Sequence, residues 1–118
     1  MARVELPSGA WIEYRDKLKA LDRFAVQAVA TVELGDRKNR ASFLEMNNDM
    51  RNALLGRIIT DWSYPVPIPS KNSFAAADVV IGEAMDLEDY AALEKVVEPL
   101  MDLIAGRADV NPKEQPSG

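Results

Sequence analysis

Arg3-Val4-Glu5-Leu6-Pro7-Ser8-Gly9-Ala10-Trp11-Ile12-Glu13-Tyr14 stands near the start of the chain, and it settles whether the fold holds a sheet at all. Apolar and polar residues alternate on both sides of Pro7-Ser8-Gly9, which carries turn chemistry, so the stretch predicts a β-hairpin. Val4 and Leu6 share one face, and Ile12 and Tyr14 join them across the turn. Trp11 falls on the opposite face and needs separate cover. A two-stranded hairpin is marginal in water, so this one must pack on the rest of the chain.

The remainder reads as helical. Leu18, Leu21, Ala25, Ala28, Val29 and Val32 step by threes and fours within Lys17–Leu34, predicting a first helix with that stripe turned inward. Asp16 or Asp22 caps its start, and Gly35 suits the position just past its end. After a polar connector, Ser42-Phe43-Leu44-Glu45 has the form of a capping box. Met46, Met50, Leu54, Ile58 and Trp62 then recur every fourth residue, so a second helix is expected to run to about Trp62, starting either at the capping box or at the helix-weak Asn47-Asn48-Asp49.

Pro65, Pro67 and Pro69 end that helix and predict an extended or polyproline strip. Lys71–Ala84 reads as mostly irregular, with a short extended piece at Asp78–Ile81. The last helix is expected to take Asp86 as N-cap, with Glu88 and Asp89 favoured in its first turn by the helix dipole. Tyr90, Leu93, Val97, Leu100 and Ile104 form its packing seam, and Gly106 closes it. Pro99 costs about 3 kcal/mol inside a helix and predicts a kink or a break near Val97. The expected architecture is α+β and mainly α: an N-terminal hairpin packed on three to four helices, with a proline-rich connector. One domain spans 1–106, and 107–118 is expected to be a disordered tail.

Composition narrows the function classes. The 118 residues include no His and no Cys, which removes the side chain titrating nearest neutrality, every thiolate and the usual soft metal ligands. No apolar run approaches a membrane span, and no signal-like segment opens the chain. A net charge of −5 disfavours a nucleic-acid backbone as partner. The charge is uneven: residues 1–57 carry a net +2 and residues 58–118 a net −7. Such polarity orients a chain against a partner or against a copy of itself. Seven carboxylates lie between Glu83 and Asp102, but they do not converge on one helix face, and a solvated surface explains them better than a cation site. The glycines are scattered singly, so no phosphate loop is present. No catalytic, cofactor-binding or metal-binding residue is expected.

The order of motifs carries more than any one of them. Leu6-Pro7-Ser8-Gly9-Ala10-Trp11-Ile12-Glu13-Tyr14-Arg15-Asp16 leads to Leu21-Asp22-Arg23. Ile58-Ile59-Thr60-Asp61-Trp62-Ser63 then precedes Pro65-Val66-Pro67-Ile68-Pro69, and Met85-Asp86-Leu87-Glu88-Asp89-Tyr90-Ala91-Ala92-Leu93 opens the last apolar helix. Over about residues 4–105 this order resembles the tail assembly chaperones of long-tailed bacteriophages of actinobacterial hosts, the shorter product of a frameshifted gene pair. The resemblance implies a non-catalytic factor of the host cytoplasm, absent from the mature virion. Such a factor binds the tape measure protein, keeps it soluble and helps recruit major tail tube subunits. A longer, frameshifted form would place its extension after the Arg107–Gly118 segment, which would then serve as a linker.

On that reading the expected partner-binding residues are Met50, Trp62, Tyr64, Val66 and Ile68, aromatic and aliphatic anchors beside a stiff backbone. Trp62 has a competing fate as a core residue against the hairpin. Self-association is a further expectation, whereas nucleic acid and membrane are not expected partners. The alternatives are a head–tail connector or minor tail component retained in the virion, and a small acidic regulator that masks a basic partner.

Overall fold

The computed structural model describes residues 1–34, 40–71 and 75–106, with side chains at 30–34 and 40–45 left aside. The expectations for Gly35, for most of the polar connector and for the tail at 107–118 lie outside the described residues. The chain forms β1 (Ala2–Glu5), β2 (Trp11–Tyr14), α1 (Ala20–Leu34), α2 (Arg40–Ile58), β3 (Ile59–Trp62), a single 3-10 turn at Pro69–Lys71, α3 (Ala77–Ala84) and α4 (Leu87–Ala105). It is an α+β fold, mainly α, built on a three-stranded antiparallel sheet in the order β1-β2-β3.

The hairpin forms as its alternation demands. Val4 pairs with Ile12 and Arg3 with Glu13. The Leu6 N–H donates to the Ala10 carbonyl at 2.8 Å, and the turn between them passes through Gly9 at φ 93°. That left-handed conformation costs a side-chain-bearing residue about 1 kcal/mol, and glycine adopts it freely. Leu6 and Ile12 enter the core. The cover that Trp11 needs comes from Arg3, whose guanidinium lies 4.3 Å from the ring centroid.

The second helix is shorter than its four-residue repeat implies. It ends at Ile58, and Ile59–Trp62 is the third strand rather than a last helical turn. The reason is non-local: β2 has a free edge, and the β-branched and aromatic residues here suit a ladder better than a helix end. Ile12 pairs with Trp62, Glu13 with Asp61 and Tyr14 with Ile59, so Thr60 is the extra residue of a bulge. The bulge resets the parity of the strand, which lets Ile59 and Trp62, three residues apart, both face the core. The helix also opens at Arg40, ahead of the Ser42–Glu45 capping box.

Asp78–Ile81 is helical, not extended. Its β-branched run belongs to α3, which buries Val80 and Ile81. The helix sits so close to α2 that a Cβ on Gly56 would lie 2.8 Å from the Ala77 Cβ. Burial on that surface outweighs the modest helix penalty of two valines. In α4 the predicted seam holds: Leu93, Val97, Leu100 and Ile104 are buried. Pro99 is exposed and the helix continues through it, without the break expected near Val97. Asp86 occupies the N-cap position but makes no side-chain cap bond, and Gly106 ends the helix at φ 76°.

The setting of α1 also departs from its periodicity. Val26 and Asp22 are fully buried, while Leu21 is 62% exposed. The inward stripe is therefore one residue out of step with the predicted one, because a carboxylate holds the inner position.

Candidate partner-binding site

The proline strip gathers the expected anchors but turns most of them inward. Trp62 is 5% exposed and Ile68 8% exposed, and both belong to the core. The Trp62 Nε1–H donates to the Val66 carbonyl at 2.8 Å, and its ring meets Tyr64 edge-on with centroids 5.2 Å apart. Tyr64 and Met50 are half-buried against the same core. Only Val66 is exposed, beside a cleft of about 240 Å³ shared with Ala75, Val79 and Val80. As a set of five presented anchors this surface does not exist. The alternate prolines hold the strip stiff, and the sheet beneath it consumes its large side chains.

What fixes Tyr64 is Asp89. This carboxylate, in the first turn of α4, is almost fully buried. It accepts the Ser8 N–H at 3.0 Å, the Ser8 hydroxyl at 2.5 Å and the Tyr64 hydroxyl at 2.8 Å. Burial pushes its pKa up, but the bonds from Ser8 and Tyr64 prevail and leave it below the usual carboxylate range. Tyr64 is pushed the other way, upward, by burial and by the bond to Asp89. One side chain thus ties the hairpin turn, the proline strip and α4 together. Ser8 and Asp89 lie 81 residues apart, so no local pattern announces the contact.

A second carboxylate shapes the outer surface. Asp22 Oδ2 accepts from Arg15 Nη1 at 2.8 Å and from the Lys19 N–H at 2.7 Å. Oδ1 accepts from Arg15 Nη2 and Arg57 Nε, both at 2.9 Å. The Lys19 bond is the reach-back half of a capping box, made from the third helical position. Asp22 therefore secures the helix start without being its N-cap, and Asp16 instead pairs with the terminal ammonium. The Arg15 fork, reinforced by the Lys19 amide and Arg57, holds the Asp22 carboxyl far below the usual range against the opposing effect of burial.

With Asp22 inside, Leu21 and Phe24 are left 62% and 61% exposed, and Ala28 is exposed with them. Spacings of three and four residues place these side chains on one ridge along α1. Lys17 and Lys19 stand exposed at its start, Arg23 reaches across to donate from Nε to the Ile104 carbonyl at 3.0 Å, and the Asp22 carboxylate is buried between its arginine partners. The ridge is an apolar patch on the solvent face of α1. Periodicity alone turns Leu21 inward and assigns Phe24 to no face, so the ridge shows only in the fold. The signal was the acid itself: an Asp within an apolar stripe, with cations on both sides.

Another concave feature is a cleft of about 320 Å³ between α2, α3 and the start of α4, lined by Asn52, Asp78, Ile81, Gly82, Leu87 and Tyr90 among others. The Tyr90 hydroxyl donates to Asn52 Oδ1 at 2.6 Å. Among the described residues no group of three or more side chains is arranged to hold a metal ion, and no helix is long and apolar enough to cross a membrane. No family model, curated protein or solved structure matches the chain.

Proposed function

We propose that the protein is a phage tail assembly chaperone, which holds apolar helical segments of the tape measure protein in solution and helps bring tail tube subunits to them. The observation that supports this most is the ridge of Leu21, Phe24 and Ala28, two large apolar side chains open to solvent on an ordered helix. Helix-in-groove and helix-on-helix recognition use anchors at this spacing. A non-catalytic role agrees with two buried carboxylates that are each saturated by three or more hydrogen bonds and spent on joining elements. The binding residues proposed are those of the ridge, with Val66 as the one exposed member of the proline strip.

In this role the protein acts in the host cytoplasm and leaves before the virion matures. The test is co-purification of tape measure fragments with the wild-type chain and with Leu21→Ser/Phe24→Ser. Loss of the fragment with unchanged helical circular dichroism supports the ridge; retention of the fragment rejects it. Mass spectrometry of purified virions addresses the competing role of a connector or minor tail component, which predicts a fixed copy number instead of absence.

A further inference from the structure

The geometry points to a second copy of this chain as the occupant of the cleft between α2, α3 and α4, with Phe24 of one copy inserted into the cleft of the next. Both halves of such a contact are present on one molecule. The knob is Phe24, 61% exposed on α1 with Leu21 beside it. The hole is the 320 Å³ cleft, whose apolar wall includes Ile81, Met85 and Leu87, the last 82% exposed at its mouth. Its volume lies at the low end for ligand pockets, suited to one aromatic side chain.

Charge selects this pairing over the knob meeting another knob. Lys17 and Lys19 stand exposed at the start of the ridge, while Asp78 lines the cleft and Glu83 at the end of α3, Asp86 in the linking turn and Glu88 in the first turn of α4 stand exposed near it. Opposite potentials steer the knob of one copy to the hole of another, and like charges oppose the two alternative pairings. Among the described residues Asp78 accepts from its neighbouring Val79 N–H at 3.0 Å and stands exposed, so its charge faces outward. Used reciprocally the contact is isologous and closes as a two-fold dimer; used once per pair it is heterologous and extends as a ring or an open chain. One knob in one cleft buries less than the roughly 1,200 Å² of a stable complex, so the association is weak and concentration-dependent. It covers the ridge in the absence of a client, yet it is read from the purified chain alone and does not depend on the chaperone reading.

Gly82 supplies the decisive variant. A Cβ there meets nothing within 4 Å, so Gly82→Leu fills the cleft without straining α3. Sedimentation or light scattering from micromolar to near-millimolar concentration should show a mass rising above the 13.0 kDa of one chain. Phe24→Ser and Gly82→Leu should each weaken the association at least tenfold, with helical circular dichroism unchanged. Lys19→Glu and Asp78→Lys should each weaken it alone and restore it when mixed in equal amounts. A monomer at every concentration overturns the proposal, as does association indifferent to Gly82→Leu. Binding of the ridge to anionic phospholipid vesicles without self-association also overturns it, since the basic rim would then serve a lipid surface.

Discussion

Asp22→Asn isolates the interaction that sets the outer surface of α1. The substitution keeps the shape and removes the charge, placing an amide NH2 where a guanidinium or backbone donor now points. Three charge-assisted bonds from Arg15 and Arg57 are lost or weakened, together with the Lys19 amide bond. Charge-assisted bonds contribute roughly 1.5–3 kcal/mol each when buried. Here Arg15 and Arg57 keep 32% and 36% side-chain exposure, so water compensates much of their loss and about 1 kcal/mol apiece is the fair estimate for the two arginines. The helix-start bond adds about 1 kcal/mol. The expected cost is therefore about 3 kcal/mol, a fall in Tm of roughly 10–14 °C for a domain of this size.

Chemical denaturation of wild type and variant at neutral pH measures it. The Asp22 pKa is depressed in the folded state relative to about 3.9 unfolded, so its contribution is full above the unfolded value and disappears as pH falls toward the folded one. The gap to wild type should thus start to narrow only below about pH 4 and close as pH approaches the folded value. A loss under about 1 kcal/mol at neutral pH, or a difference that persists into acid, would refute the reasoning.

Asp89→Asn should cost about 2 kcal/mol through three altered bonds, whereas Tyr64→Phe and Ser8→Ala should cost about 1 kcal/mol each; in a double-mutant cycle by urea denaturation, Asp89 should couple to both. Its folded pKa is also lowered, so this contribution is likewise lost as pH drops below the unfolded carboxylate value. Gly56→Ala should destabilise by about 1–3 kcal/mol, because the new Cβ would lie 2.8 Å from the Ala77 Cβ. Gly82→Ala, with open space around its Cβ, should instead gain about 0.5–1 kcal/mol as a helical glycine replaced by a better helix former. Paired thermal melts compare the two. Gly106→Ala should lose about 1 kcal/mol from its positive φ alone, with the nearby Arg23 guanidinium at 3.2 Å moving aside.

The elements that local pattern can carry were legible: the hairpin from its alternation about Pro7-Ser8-Gly9, and α4 from the spacing of Leu93, Val97, Leu100 and Ile104. What escaped was decided at long range. Ile59–Trp62 continues a helical repeat in the sequence, yet becomes a strand because β2, some fifty residues earlier, offers an open edge. Val79-Val80-Ile81 has strand propensity, but the close approach permitted by Gly56 makes it a helix. The candidate site was displaced for the same reason. Trp62, Tyr64 and Ile68 have the chemistry of interface anchors, and nothing within the proline strip reveals that the sheet and Asp89 engage them. The rotation of α1 depends on Arg57, 35 residues beyond Asp22, so Phe24 became visible as an anchor only once that contact was in place.

The central claim is that the α1 ridge touches the tape measure protein. A photo-reactive benzoylphenylalanine in place of Phe24, in cells expressing the phage tail genes, reads that contact directly. Adducts with the tape measure protein are expected from position 24, and none from the buried position of Ile68. Tape measure adducts from a probe at Val66 with none from position 24 would contradict the claim.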